Sequence, residues 1–261
     1  MNVIRLMGGL GNQLFQYAFG RAMMEKGTNV GYDISNFGKS RHREYMLGNF
    51  KIEIQFSKFT NNRGLLDTGA NPSFNISYLD EHNCNFFGYW QYFNYFKNIL
   101  PLLQKEIWVK EEAYTDEFLK LRDIIKTDNA VSVHVRRDDY LTSDTIPCLP
   151  FNYYFEATQY TKGNLYVFSD DIEWCKRHFI EDYFERNITF VALPYYLDFE
   201  LMKLCKHNII SNSTFSWWAA ILNDNKDKIV VTPDFWITRL DRGKRNNFPK
   251  EWIKLKCNEC S

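Results

Sequence analysis

The chain has no excess of charge of either sign, few cysteines and no long apolar run at its start, and each shortage closes off a class of function. Thirty-two Lys plus Arg balance thirty-two Asp plus Glu. No global field therefore draws the protein onto nucleic acid or an acidic membrane, and any anion site must be local. The opening MNVIRLMGG places only about five apolar or small residues before a polar glycine loop, far short of a secretory or membrane-spanning segment. The expected location is the cytoplasm. Six cysteines are then expected as reduced thiols rather than as a disulfide framework. Cys257 and Cys260 have the CxxC spacing that suits zinc, but the other nearby candidates, Cys175 and His178, lie in a separate segment, and no metal site is expected.

What is present is a chain of 261 residues with 17% aromatics. The length suffices for one large or two small domains with a real core. The aromatics suit stacking on sugar rings as well as ordinary core packing. Val3 to Met7 reads as a short strand, Gly8-Gly9-Leu10-Gly11 as a tight loop and Asn12 to Lys26 as a helix that Gly27 ends. Asn29 to Asp33 then completes a βαβ unit. From about Ile34 to Pro72 the pattern breaks up, with loop-forming stretches at Asn61-Asn62-Arg63-Gly64 and Gly69-Ala70-Asn71-Pro72. Helices are expected at Tyr92 to Leu103 and Glu111 to Ile125, which close a first domain at residues 1–126.

In residues 127–261 strand and helix alternate. Apolar runs at Val131 to Val135, Leu165 to Phe168, Ile188 to Leu193, Asn208 to Ile210 and Ile229 to Val231 read as buried parallel strands. This is the pattern of a doubly wound α/β sheet, whose ligands sit beyond the carboxyl ends of the strands. The residues following those strands carry nearly all the chemically capable groups. Arg136-Arg137-Asp138-Asp139 follows the first strand, Ser169-Asp170-Asp171 the second, Pro194-Tyr195-Tyr196 the third, Ser211-Asn212-Ser213-Thr214 the fourth and Pro233-Asp234 the fifth.

An arginine at a strand end offers a planar fork that matches two phosphate oxygens, so Arg136 and Arg137 suit a diphosphate; a salt bridge to Asp138 or Asp139 is the plainer alternative, and both can hold without ligand. Ser211 to Thr214 precedes the apolar stretch Phe215 to Leu222 as a helix cap should. A helix amino terminus there is a second anion cradle. Asp170 or Asp171 could accept hydrogen bonds from a guanine edge or ribose hydroxyls, bind a divalent metal, or cap a helix; the supply of positive charge elsewhere tips the balance from metal. The loop Gly8 to Gln13 lacks the lysine of a P-loop, and Leu14 stands where a dinucleotide fingerprint needs its third glycine, although Asp33 lies where a ribose-binding acid would. An NAD-dependent oxidoreductase is thus the weaker alternative, and a non-catalytic nucleotide- or glycan-binding protein a third. The remaining reading is a close-approach loop in which Gly9 and Gly11 bring backbone and the Asn12 side chain to the ligand.

Four segments taken together, GGLGNQLFQYA (Gly8 to Ala18), HVRRDDY (His134 to Tyr140), FSDD (Phe168 to Asp171) and SNSTFSWWAA (Ser211 to Ala220), resemble the bacterial α-1,2-fucosyltransferases in the same order along residues 1 to about 236. The resemblance implies two Rossmann-like domains facing across a cleft, the GT-B type, with GDP-fucose as donor, anomeric inversion and no cofactor or metal. Carried over by motif, Arg136 holds the diphosphate. His134, Asp170 and the stretch Ser213, Thr214, Phe215 and Ser216 surround the nucleotide, while Asn12 sits near the transferred fucose; Arg137 and Ser169, beside Arg136 and Asp170, are further binding candidates. Asp139 is the first candidate for a base. The implied acceptor is a galactose-terminated glycan. Asp138 stands where family members usually carry Gly, and Tyr92-Phe93-Asn94 departs from the family's more polar continuation after Gly88-Tyr89-Trp90-Gln91. Arg239, Arg242, Lys244, Arg245, Lys250 and Lys254 form a basic carboxyl segment that could meet the inner membrane face, a solvated surface being the plainer reading.

Overall fold

The computed structural model describes residues 1–38, 44–67, 75–236 and 247–257. Gly69 to Pro72, Arg239, Arg242, Lys244, Arg245 and Cys260 lie outside the described residues. The chain divides into two compact units, Met1–Trp108 and Val109–Ser261.

In the first unit β1 (Asn2–Arg5), α1 (Leu10–Glu25) and β2 (Val30–Asp33) form the expected βαβ turn. The helix opens two residues earlier than the sequence pattern suggests, with Gly9 in the cap position, so Gly11 and Asn12 belong to its first turn. Leu10, Leu14, Phe15, Ala18, Phe19, Ala22 and Met23 recur at helical spacing and are all buried. Gly27, at φ +85°, ends the helix in the left-handed region that glycine adopts without strain. The stretch Arg63-Gly64, expected as a turn, instead opens a strand, β3 (Arg63–Leu66), which pairs in parallel with β4 (Cys84–Phe87). Pairing with a strand whose Phe86 is wholly buried overrides the local turn preference. The sheet order is β2-β1-β4-β3, all parallel. Instead of one helix from Tyr92, two 3-10 turns precede α2 (Leu100–Glu106), whose start carries Pro101 in a first-turn position.

The second unit begins with α3 (Asp116–Thr127). Its cap Thr115 accepts from the Phe118 amide, which is why the helix starts there and not at Glu111. This helix, expected to close the first domain at residue 126, packs on α7 (Tyr195–Leu204) in the second unit, and the compact units divide at Trp108. The sheet runs β10-β9-β8-β5-β6-β7, all parallel. Its strands are β5 (Val131–Val135), β6 (Leu165–Ser169), β7 (Ile188–Val191), β8 (His207–Ile209), β9 (Val230–Pro233) and β10 (Ile253–Leu255), the last not foreseen from sequence. Helices α4 (Phe151–Thr158), α5 (Ile172–His178), α6 (Glu181–Phe184) and α8 (Thr214–Leu222) complete it. Val131, Val133, Val135, Tyr153, Tyr154, Val167, Ile209 and Val231 form its core. No helix among the described residues is long and apolar enough to cross a membrane.

Candidate active site

In the second unit the chain builds β5, β6 and β7 outward in one direction and then returns to lay β8 on the other side of β5. The order reverses between β5 and β8, and a crevice at their carboxyl ends is where doubly wound sheets bind ligands. The predicted His134, Arg136, Ser211 and Ser213 to Ser216 gather there, and Arg137 follows Arg136 with its side chain toward the end of β6. His134 Nδ1 and Ser211 Oγ are 2.9 Å apart across the reversal. Burial, and then the charge of Arg136, push the His134 pKa down to about 3, so the ring is neutral.

Arg136 spreads its fork over two carboxylates, Nη2 to Asp139 Oδ1 at 2.6 Å and Nη1 to Asp170 Oδ2 at 2.9 Å. Burial works against its charge, but Asp170 and then Asp139 outweigh that and raise its pKa. Asp170 is raised by burial, with Arg136 pulling it down, and it also accepts the Arg137 amide at 2.8 Å. The plain alternative of an ion pair thus holds in the structure, with Asp170 as well as Asp139. Asp138 is exposed. Arg137 is set differently: its Nε bonds Asp171 Oδ2 at 3.1 Å and its guanidinium lies over the Trp174 ring at 4.1 Å. Asp171 also caps α5 through the Trp174 amide, and Ser169 Oγ accepts the Asp171 amide. The second acidic residue therefore serves as the helix cap, while Asp170 faces the arginine.

Ser213 caps α8, its Oγ accepting the Phe215 amide at 3.3 Å. Thr214, Phe215 and Ser216 form the first turn, where backbone N–H groups lack helical partners. Ser216 Oγ is within 3.5 Å of Ser211 Oγ, and the Phe215 ring lies 5.3 Å from that of His134. Two residues that sequence reasoning had not singled out stand near the carboxyl ends of the strands, Tyr140 beside Arg136 and Asp198 after β7. Tyr140 lies with its ring 5.4 Å from the Arg136 guanidinium and donates to the Asn212 carbonyl; burial raises its pKa to about 12. Asp198, in the first turn of α7, accepts the Leu193 amide at 3.1 Å, and burial raises its carboxyl to about 8. Tyr140 closes the HVRRDDY motif and could have been found by its spacing; Asp198 carries no signal separable from an exposed helix acid.

In the first unit the order also reverses, between β1 and β4. Gly8 takes φ +78°, the left-handed region, and a Cβ there would stand 2.5 Å from Asn12 Nδ2. Gly8 is thus the position in this loop whose backbone and neighbours call for glycine; Gly9 is the helix cap and Gly11 is buried in the first turn. Asn12 Oδ1 accepts from Gln91 Nε2 at 2.8 Å. Asp33 does not offer a free carboxylate to a ribose. It is buried and bonded to Arg5 at 2.7 Å and to the Ser35 and Phe59 amides; these bonds outweigh burial and hold its pKa at about 2.

Two Rossmann-like units, each a parallel sheet with polar residues gathered where the strand order reverses, define the GT-B class of fold. The fucosyltransferase NodZ from Bradyrhizobium shares it, at a TM-score of 0.51 and 13% identity over 84% of this chain and 92% of that one. So does FUT1 of Arabidopsis thaliana, solved with GDP, at a TM-score of 0.53 and 10% identity over 91% and 71%. Likeness at such identity shows the fold alone. The family comes from sequence: residues 1–256 match the model of glycosyl transferase family 11, and the chain belongs to that family. An alpha-1,2-colitosyltransferase of Escherichia coli is 29% identical over 97% of this chain and 98% of its own. The O-antigen biosynthesis glycosyltransferase WbnK of Escherichia coli is 31% identical over 96% and 99%. The protein is a glycosyltransferase, and the family read from the four motifs stands.

Proposed function

We propose that the chain is an inverting, metal-independent transferase that moves L-fucose from GDP-fucose to the 2-hydroxyl of a terminal galactoside in a surface glycan. The observation that carries this reading is the Arg136 fork at the end of β5, beside the capped amino terminus of α8 at the strand reversal. Both features suit the charge that grows on a departing diphosphate, and preorganised donors stabilise that charge without reorganising. The acceptor oxygen bonds the anomeric carbon as the carbon–oxygen bond to the diphosphate breaks, in one displacement with inversion. Asp139, the counter-ion of Arg136 in the structure, is released when the diphosphate takes the guanidinium, and it is the carboxylate assigned to accept the hydroxyl proton. His134, neutral and next to Phe215, is assigned to the nucleoside with Asp170, Ser169 and Ser213 to Ser216. Arg137, stacked on Trp174, fixes the loop and adds positive charge. In the first unit Asn12 is assigned to the transferred sugar.

The relative named as a colitosyltransferase supports a second donor, since colitose is L-fucose without its 3-hydroxyl. Calorimetric titration of EDTA-treated protein with GDP, UDP and NAD tests the nucleotide, and GDP is expected to bind preferentially without added metal. Competition between GDP-fucose and GDP-colitose for transfer to lactose then selects the sugar. Binding of NAD, or of no nucleotide, defeats the reading.

A further inference from the structure

The Gly88-Tyr89-Trp90-Gln91 turn after β4 carries backbone strain. Trp90 takes φ +53° and Gly88 φ +153°; positive φ is unusual for a bulky residue and persists only where the surroundings over-determine it. The surroundings here do so. The Trp90 indole lies parallel to Phe19 at 4.6 Å and 5°, with Phe86, Tyr95 and Tyr78 edge-on around it. Its amide donates to Asp67 Oδ2 at 2.8 Å, and Gln16 Nε2 donates to the Gly88 carbonyl at 2.9 Å. The indole N–H is buried and, among the described residues, has no hydrogen-bond partner, a further cost of this conformation. What the strained turn achieves is the placement of Gln91. It brings Nε2 2.8 Å from Asn12 Oδ1, across the reversal between β1 and β4.

An asparagine amide has two ends of nearly equal size and opposite hydrogen-bonding sense. With Oδ1 engaged by Gln91, the NH2 end of Asn12 is the end left to a ligand, and among the described residues nothing accepts a hydrogen from it. We propose that Gln91 is a positioning residue that holds the Asn12 amide with its donor end toward the sugar nucleotide. This rests on the assignment of Asn12 to the transferred sugar. A donor stabilises an oxygen that gains negative charge as the glycosidic bond breaks; the carbonyl end would repel it. The benefit of Gln91 therefore lies in turnover rather than in nucleotide affinity.

The test uses the full chain, with GDP-fucose hydrolysis and transfer to lactose as activities, calorimetry with GDP, and thermal melting. Gln91→Ala is expected to lower kcat by about 100-fold, the size of effect an ångström of misplacement produces. Gln91→Glu is expected to fall further, because a carboxylate accepts from Asn12 Nδ2 and turns the amide round. Both should leave GDP affinity within about twofold of the parent. In an Asn12→Ala background, Gln91→Ala should add less than about twofold, since a positioning residue acts only through its partner. If Gln91→Ala does not fold, Gln91→Met keeps the length and removes the donor. Full kcat in the Gln91 variants while Asn12→Ala is impaired, or independent and additive losses, overturns the inference alone. Full activity of Asn12→Ala overturns the reading beneath it.

Discussion

Replacing Arg136 by alanine removes a fork that spans Asp139 at 2.6 Å and Asp170 at 2.9 Å. A diphosphate offers the same two-oxygen geometry with more negative charge, so binding is an exchange of partners. Two charge-assisted hydrogen bonds contribute together about 3–6 kcal/mol. Releasing two partly exposed carboxylates costs about 1–2 kcal/mol in total, which leaves about 2–4 kcal/mol. At 1.36 kcal/mol per factor of ten, that is about 30- to 1000-fold in kcat/KM. The truncation also leaves Asp139 and Asp170 facing the phosphates with no cation between them, so the loss belongs at the upper end of that range. Steady-state GDP release with a galactoside acceptor measures it, and melting curves check that the fold survives. Asp139→Asn in the Arg136→Ala background should recover part of the lost GDP affinity by removing one repulsive charge, and should not recover turnover, because Asp139 is the assigned base. Arg136→Lys, which keeps the charge and loses the fork, should fall between. An Arg136→Ala enzyme that folds normally and stays within about threefold of the parent refutes the exchange.

Two pH dependences follow from buried groups near the strand ends. The folded pKa of His134 is about 3, well below its usual value of roughly 6.5, so the unfolded chain binds the proton first and stability falls as pH drops below about 6.5. Between pH 7 and pH 5 the loss is about 2 kcal/mol. Urea melts of the parent should show it and those of His134→Asn should not; equal slopes refute the assignment. Asp198 is the opposite case. Its carboxyl is raised to about 8 by burial, so the folded state binds the proton more tightly and stability is lost as pH rises from about 4 to 8. Asp198→Asn can still accept the Leu193 amide and should be more stable than the parent at pH 8, by about 1–2 kcal/mol once water access to a half-buried carboxyl is allowed for. A lower melting temperature for Asp198→Asn at pH 8 counts against the raised pKa.

The strands of the second unit were legible because each is a buried apolar run bounded by polar residues, and Val131 to Val135 was placed to the residue. The polar edge was legible for the same reason, since in a parallel sheet whatever follows each strand falls on one side. Elements held by partners distant in sequence were not. β3 forms from turn-like residues because β4 offers it a ladder, β10 is three residues long and exists through β9, and α3 packs in the second unit through α7. Division of labour within motifs was equally hidden. Adjacent identical residues separate once the chain folds: Arg136 takes Asp139 and Asp170 while Arg137 stacks on Trp174, and Asp170 faces the arginine while Asp171 caps α5. By itself, the order of residues determined the five apolar strands of the second unit, the residue types at their ends and the family, because local pattern and motif spacing are properties of the chain. Which carboxylate pairs with which arginine, which glycine must be glycine and which way the Asn12 amide points were decided by the tertiary structure alone, because each depends on a neighbour that only the fold brings within hydrogen-bonding reach.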